Sequence, residues 1–180
     1  MKIAVGQEIN LQADKRYIQH VRDHAMRDVY DALVELITNA DDSYNRLFEQ
    51  KRRNRDGGDI LIEHLEQRKG AASCLVVRDK AEGMDASDME RCLLRLGTYS
   101  SKSGNRGYMG RGAKDCSALG DVVFESIKDG RYFRCKITQS LKFVLEENGS
   151  RATDAQRHAL DLEQARFFAP ACRKPWTALQ

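Results

Sequence analysis

Between Lys15 and Gln50 the side chains Ile18, Val21, Met26, Val29 or Tyr30, Leu33, Leu36 or Ile37, Ala40, Tyr44 and Leu47 recur at steps of three and four residues. That spacing predicts a helix with one side in a core, broken once near residues 24–28. The basic, Gly-containing run KRRNRDGGD ends it in a solvated turn. Beyond it the pattern changes to short β-branched segments. DILIEHLEQ and SCLVVRDK read as paired strands, and VVFESIKDGRYFRCKITQSLKFVLEE as two or three strands turning at Asp129-Gly130. Between these groups DASDMERCLLRLG reads as a short helix, with Asp85 or Ser87 as N-cap and Gly97 as its C-terminal glycine. AKDCSALGD opens a further helical turn, and residues 153–168 are predicted helical, with an irregular end near Pro170 and Pro175.

The totals bound the partners more than the chemistry. A chain of 180 residues suits one domain, and 30 basic against 27 acidic residues leave a charge of +3, too small to indicate nucleic acid by itself. Five cysteines, odd in number and with no C-x-x-C pair, argue against a zinc ribbon or a disulfide framework and suit a reducing cytoplasm. No apolar run reaches the roughly 18–20 residues of a membrane span, so a soluble cytoplasmic protein with no membrane partner is expected.

Three segments carry chemistry. In ELITNADDS, residues 35–43, Glu35, Asn39 and Asp42 fall at steps of four and seven on one side of the predicted helix. Oxygen-bearing side chains in such a line can hold a hard cation such as Mg²⁺ or place a carboxylate as base on water. The same stripe also suits a solvated helix face. In VVRDKAEGMD, Asp79 ends a strand and Gly83 follows in a tight connection. An acid there can accept a hydrogen bond from an exocyclic amine of the kind adenine offers, or can be an ordinary turn acid. The third segment has four glycines in the nine residues 104–112, flanked by Lys102, Arg106, Arg111 and Lys114, a composition that can cradle phosphate. It lacks the G-K-[ST] of a P-loop and the G-x-G-x-x-G of a dinucleotide fold.

Taken together and in order, the segments resemble the GHKL ATPase superfamily of gyrase B, Hsp90, histidine kinases and MutL. ELITNADDS resembles its N box, E-x-x-x-N-x-x-D-A, with Ser43 where Ala is usual. DKAEGM resembles the D-x-G-x-G box, with Ala81 for the first Gly. GYMGRGAKD resembles the second glycine box, and GTYSSKSG the start of the ATP lid in Hsp90 relatives; the lid is most similar to that of MORC-type ATPases and bacterial Hsp90-like proteins. The resemblance spans about residues 15–140.

It implies an α+β two-layer sandwich of the Bergerat type, with a mixed, mostly antiparallel sheet and helices on one face. Residues 1–146 would form the ATP-binding domain and 147–180 a helical or irregular tail. Glu35 would be the general base on water, Asn39 the Mg²⁺ ligand and Asp79 the acid reading the adenine amine. Gly83 and Met84 would line the adenine pocket, and Asp42 would support its hydrogen-bond network. Lys102, Ser103, Gly107, Gly110, Gly112 and Lys114 would hold phosphates. ATP and Mg²⁺ are the implied cofactors. Lid closure would drive a conformational change or homodimerisation in a DNA-linked or chaperone-like machine, with a second domain or subunit supplying a basic residue to the γ-phosphate. Histidine kinases generally lack a Glu at the position of Glu35, so hydrolysis is expected rather than phosphotransfer; a non-catalytic nucleotide-binding module is the other alternative. His20 and His24 lack a third ligand in sequence and are read as a solvated face. Two departures stand out: Ala81 must avoid positive φ, and the tail lacks the family's usual Thr near the nucleotide, for which Thr138 is the nearest substitute.

Overall fold

The computed structural model describes residues 3–11, 28–50, 58–65, 73–94, 112–159 and 163–168, with side chains described up to residue 157. In chain order the elements are β1 (Glu8–Asn10), α1 (Val29–Glu49), β2 (Leu61–Leu65), β3 (Cys74–Asp79), α2 (Ala86–Met89), α3 (Gly112–Asp115), β4 (Asp121–Lys128), β5 (Arg131–Ile137), β6 (Lys142–Arg151), α4 (Asp154–Ala159) and β7 (Glu163–Phe168). A π-helical turn, Glu90–Leu94, continues α2, and a 3₁₀ turn, Cys116–Ala118, continues α3. The protein is α+β. The seven strands among the described residues form one sheet in the order β1-β6-β5-β4-β7-β3-β2. Every pairing among them is antiparallel, where the expectation is a mixed but mostly antiparallel sheet.

Local chemistry accounts for most of these elements. Asp28 caps α1 by accepting from the N–H groups of Tyr30 and Asp31. The part of the expected helix before it, with His20 and His24, lies outside the described residues. The β4–β5 hairpin turns at Asp129 and Gly130 with φ of 52° and 73°, the two consecutive positive values that a two-residue type I′ loop demands. The β2–β3 hairpin pairs Leu61 with Arg78 and Leu65 with Cys74, as the sequence suggests.

One side of the sheet is apolar. Val77, Val122, Phe124, Phe133, Cys135, Ile137, Phe143 and Leu145 form a single core with Ala32 and Leu36 of α1, Met89, Leu93 and Leu94 of α2 and its extension, and Cys116. Strand alternation sends the intervening residues to the other face, where Arg78 pairs with Glu63, Arg134 with Glu146 and Lys136 with Asp121. No helix among the described residues is long and apolar enough to cross a membrane.

The helix expected over 153–168 is corrected. Among the described residues of this span Asp154–Ala159 is helical, and Glu163–Phe168 is a strand inserted between β3 and β4, pairing along both. Without it those two strands would expose facing rows of unpaired backbone groups; satisfying both rows outweighs the helix preference of a segment such as LEQAR. The boundary drawn at residue 146 falls inside β6, which runs on to Arg151 through a bulge where Gly149 takes φ of 79°.

The start of α2 is fixed to the sheet by charge. Asp85 accepts from the Asp88 N–H at 2.9 Å, Asp88 accepts from the Asp85 N–H at 3.3 Å, and the Lys128 ammonium donates to both carboxylates, at 3.0 and 2.5 Å. Against the penalty of burial, the Asp88 N–H and the Lys128 ammonium hold the Asp85 carboxyl below its usual range. The stability this contributes is present above the ordinary Asp pKa and is lost as pH falls through the depressed one. Asp85→Ala should cost about 1–2 kcal/mol in urea unfolding at pH 7, and the difference from wild type should shrink below about pH 4.

Candidate functional site

The polar stripe of α1 faces the protein. Asp42 is 6% exposed and Ser43 9%, while the outer side of the same helix carries Tyr30 at 59% and Val34 at 62%. Glu35 and Asn39 are intermediate between these. The stripe is therefore not a fully exposed face: its C-terminal end is buried and Glu35 and Asn39 are half-buried.

The N-terminal half of the stripe meets the end of the glycine segment. Gly112, the first residue of α3, lies so close to Glu35 that a Cβ there would fall within the Glu35 carboxylate; even the Cγ would stand only 2.9 Å away. A side chain at this position would force Glu35 to move. Burial, and then the Asp31 carboxylate one turn before, raise the Glu35 pKa above the usual value. The Cys116 Sγ donates to the Gly112 carbonyl at 3.3 Å. Its thiol pKa is pushed up by burial and then by Glu35 and Asp115, so it is a neutral packing group rather than a nucleophile. Lys114 is 1% exposed, an internal group of α3 rather than part of the cationic surface.

The C-terminal half of the stripe holds the β3–α2 loop. Asp79 Oδ1 accepts from the Ala81 N–H at 2.9 Å. Burial raises its pKa, opposed by that N–H and by the Arg46 guanidinium. Ser43 Oγ accepts from the Glu82 N–H at 3.3 Å, and Arg46 Nε donates to Glu82 Oε2 at 2.7 Å. The positive φ of the loop, 71°, falls on Gly83, and Ala81 is not among the positive-φ residues, so this departure from the D-x-G-x-G pattern carries no backbone strain. The Met84 N–H donates to Ser126 Oγ at 2.8 Å, fixing the loop's exit to β4.

α1 thus brings Glu35, Asn39 and Asp42 into one row between Gly112 at one end and Asp79, Gly83 and Met84 at the other. Lys102, Ser103, Gly107 and Gly110 lie outside the described residues, as do Gly97 and the basic run at 51–55. Thr138 does not stand near Asp79. It follows Ile137, whose partner Val122 neighbours Asp121, and Asp121 aligns through Phe168 with Cys74 at the opposite end of β3. Thr138 Oγ1 instead pairs with Ser140 Oγ in a turn.

Sequence reasoning missed Ser43, Tyr44, Arg46, Glu82 and Ser126 as parts of this site. Two signals were present: Arg46 continues the 35, 39, 42 spacing by one more step of four, and Ser126 interrupts the inward-facing series Val122, Phe124, Ser126 of β4. No protein-family model matches the chain, and no curated protein is significantly similar to it.

Two outcomes are expected. Gly112→Ala should destabilise by about 1–3 kcal/mol through the clash with Glu35, and adding Glu35→Ala should recover most of that loss, a non-additivity that chemical denaturation of the four proteins measures. Asp79→Asn should raise Tm by about 2–4 °C at pH 7–8, because a carboxylate whose pKa is raised by burial is ionised there at a cost. As pH falls through the raised Asp79 pKa toward the unfolded one, wild type gains stability and the advantage of Asn should disappear.

Proposed function

We propose that the chain is a GHKL-type ATPase module with a Bergerat-type nucleotide-binding fold, which binds ATP with Mg²⁺ and hydrolyses it slowly. The observation that carries the reading is the inward acidic stripe of α1, with Glu35 against Gly112 at one end and Asp79 pinned at the other. A buried carboxylate that accepts one N–H, from Ala81, keeps further acceptor capacity, and an adenine amine requires one such acceptor. Among the described residues there is no group of three or more His, Cys, Asp or Glu able to hold a metal. As the family resemblance implies, Mg²⁺ would rest on Asn39 with water and phosphate oxygens, and when bound it would neutralise phosphate charge.

Glu35 would act as base. As water attacks the γ-phosphorus, the bond to the β–γ bridging oxygen breaks, Glu35 takes the proton of the water, and ADP and inorganic phosphate result. Burial and Asp31 raise its pKa toward the working pH, which suits proton abstraction better than a fully solvated Glu would. The presence of Glu35 favours water over a phosphoacceptor histidine as the acceptor. Coupling to a homodimer, or to a second domain that supplies a basic residue to the γ-phosphate in a DNA-linked or chaperone-like machine, follows from the family resemblance.

Calorimetric titration with Mg²⁺ and a non-hydrolysable ATP analogue tests binding: wild type should bind, and Asp79→Asn should not. Absence of binding by wild type would refute the reading. Glu35→Gln should keep affinity for the analogue while turnover falls by at least about a hundredfold. Wild-type turnover should decline as pH drops through the raised Glu35 pKa, since only the ionised base accepts a proton, and the residual turnover of Glu35→Gln should lack that limb. Equal turnover in the two proteins would remove Glu35 from the mechanism.

A further inference from the structure

β6 runs on to Arg151 past the end of its outer neighbour. β1 pairs with it at Lys142, Phe143 and Val144, so among the described residues the stretch 146–151 is held from one side alone, by β5. Within that stretch the register changes. Tyr132 faces Ser150 and Phe133 faces Asn148, which leaves Gly149 opposite no residue, as the extra member of a bulge. Its φ is 79°, and a Cβ there would stand 3.1 Å from Cε1 of Phe133, a ring that belongs to the core. Both conditions favour glycine at position 149. The Arg131 guanidinium donates to the Gly149 carbonyl at 3.1 Å, across the same strand pair.

The residue before this glycine is an asparagine exposed to solvent. Of the six asparagines in the chain, Asn148 is the one followed by glycine. A side-chain amide therefore lies one residue from a backbone nitrogen that no side chain shields.

We propose that Asn148 is a site of spontaneous modification, which deamidates to a mixture of aspartate and isoaspartate and so releases the end of β6. The Gly149 amide nitrogen attacks Asn148 Cγ. A bond forms between them, the Cγ–Nδ2 bond breaks, and ammonia leaves with the proton that the Gly149 nitrogen gives up. The product is a five-membered succinimide. Water then opens it at either carbonyl: breaking the bond to Cγ leaves aspartate, and breaking the bond to the main-chain carbon leaves isoaspartate, in which the chain runs through Cβ and Cγ. No electrons are exchanged, and water is the one co-reactant.

The fold sets the rate. In an extended strand the Cγ of residue 148 is directed away from the following nitrogen, so attack requires this end of β6 to open. A strand end paired on one side, at a bulge, with residues 147, 148, 150 and 151 exposed, opens at low cost. The products then work against closing. A new carboxylate joins Glu146 and Glu147, and isoaspartate adds one carbon to the backbone opposite Phe133. That extra carbon shifts Ser150 and Arg151 against Tyr132 and Arg131, and frees Ala152 from its packing on Tyr132. The proposal does not rest on the nucleotide-binding reading.

The test is incubation of the full chain at mildly alkaline pH, in buffer and in urea, for wild type and Asn148→Gln, followed by peptide mass mapping and labelling with an isoaspartyl methyltransferase. Glutamine is the control because its attack would close a six-membered ring, which is slower. In buffer the wild-type peptide carrying Asn148 should gain the mass of an amide-to-acid exchange before any other asparagine does, at a rate within about a hundredfold of that in urea. The label should fall on the same peptide. Aged wild type should unfold at lower urea than fresh protein, and aged Asn148→Gln should not. Protection in buffer beyond that limit, or earlier modification of another asparagine, overturns the proposal. Modification at position 148 with an unaltered unfolding midpoint overturns the release of the strand end.

Discussion

Turning the acidic side of a helix toward the protein costs desolvation, and α1 does so along Glu35, Asn39 and Asp42 while Tyr30 and Val34 face solvent. The orientation is imposed by the remaining side of the helix, where Ala32, Leu36, Ala40 and Leu47 are buried. Rotating α1 to expose its acids would pull those residues from the core. The price appears in the raised pKa of Glu35, dominated by burial. Such local cost is common where a protein keeps polar groups ready for a ligand, and it is offset elsewhere, here by the Asp85–Asp88–Lys128 cluster and the large apolar face of the sheet.

Much of the fold was legible because local chemistry and tertiary structure agree. The three- and four-residue spacing gave α1 from Val29 on, β-branched runs gave β2 to β6, and Asp129-Gly130 gave its turn, since two positive φ values in succession leave few alternatives. β7 was not legible. A segment with Leu, Glu, Gln, Ala and Arg has helical preferences, and only the unmet backbone groups of β3 and β4, far away in sequence, make it a strand. β1 escaped notice for the same reason: three residues carry no period, and their place is set by pairing with β6 and by the Lys142–Glu8 ion pair.

The site divides in the same way. Glu35, Asn39, Asp42 and Asp79 could be picked out because their spacing and position at element ends are properties of one segment each. The contacts that hold the β3–α2 loop could not, because Ser43 and Tyr44 accept from the Glu82 and Lys80 amides and Arg46 donates to the Glu82 carboxylate, all more than 30 residues onward, and neither end shows in sequence what it binds. Ser43 is instructive. As a departure from the N-box pattern it reads as a blemish, yet its hydroxyl supplies the acceptor for the Glu82 amide, a bond that alanine could not make.

The position of β7 has a consequence for how the chain reaches this structure. β2 and β3 form one hairpin and β4, β5 and β6 a meander, and each can pair from neighbouring sequence soon after synthesis. The strands of the two halves become one hydrogen-bonded sheet when the segment at 163–168 slots between them, over 80 residues after β3 ends. Until then β3 and β4 are open edges of apolar strands. Folding should therefore show a slow, late step of high contact order that completes the sheet, and the interval before it is when the chain is most exposed to pairing with other copies of itself.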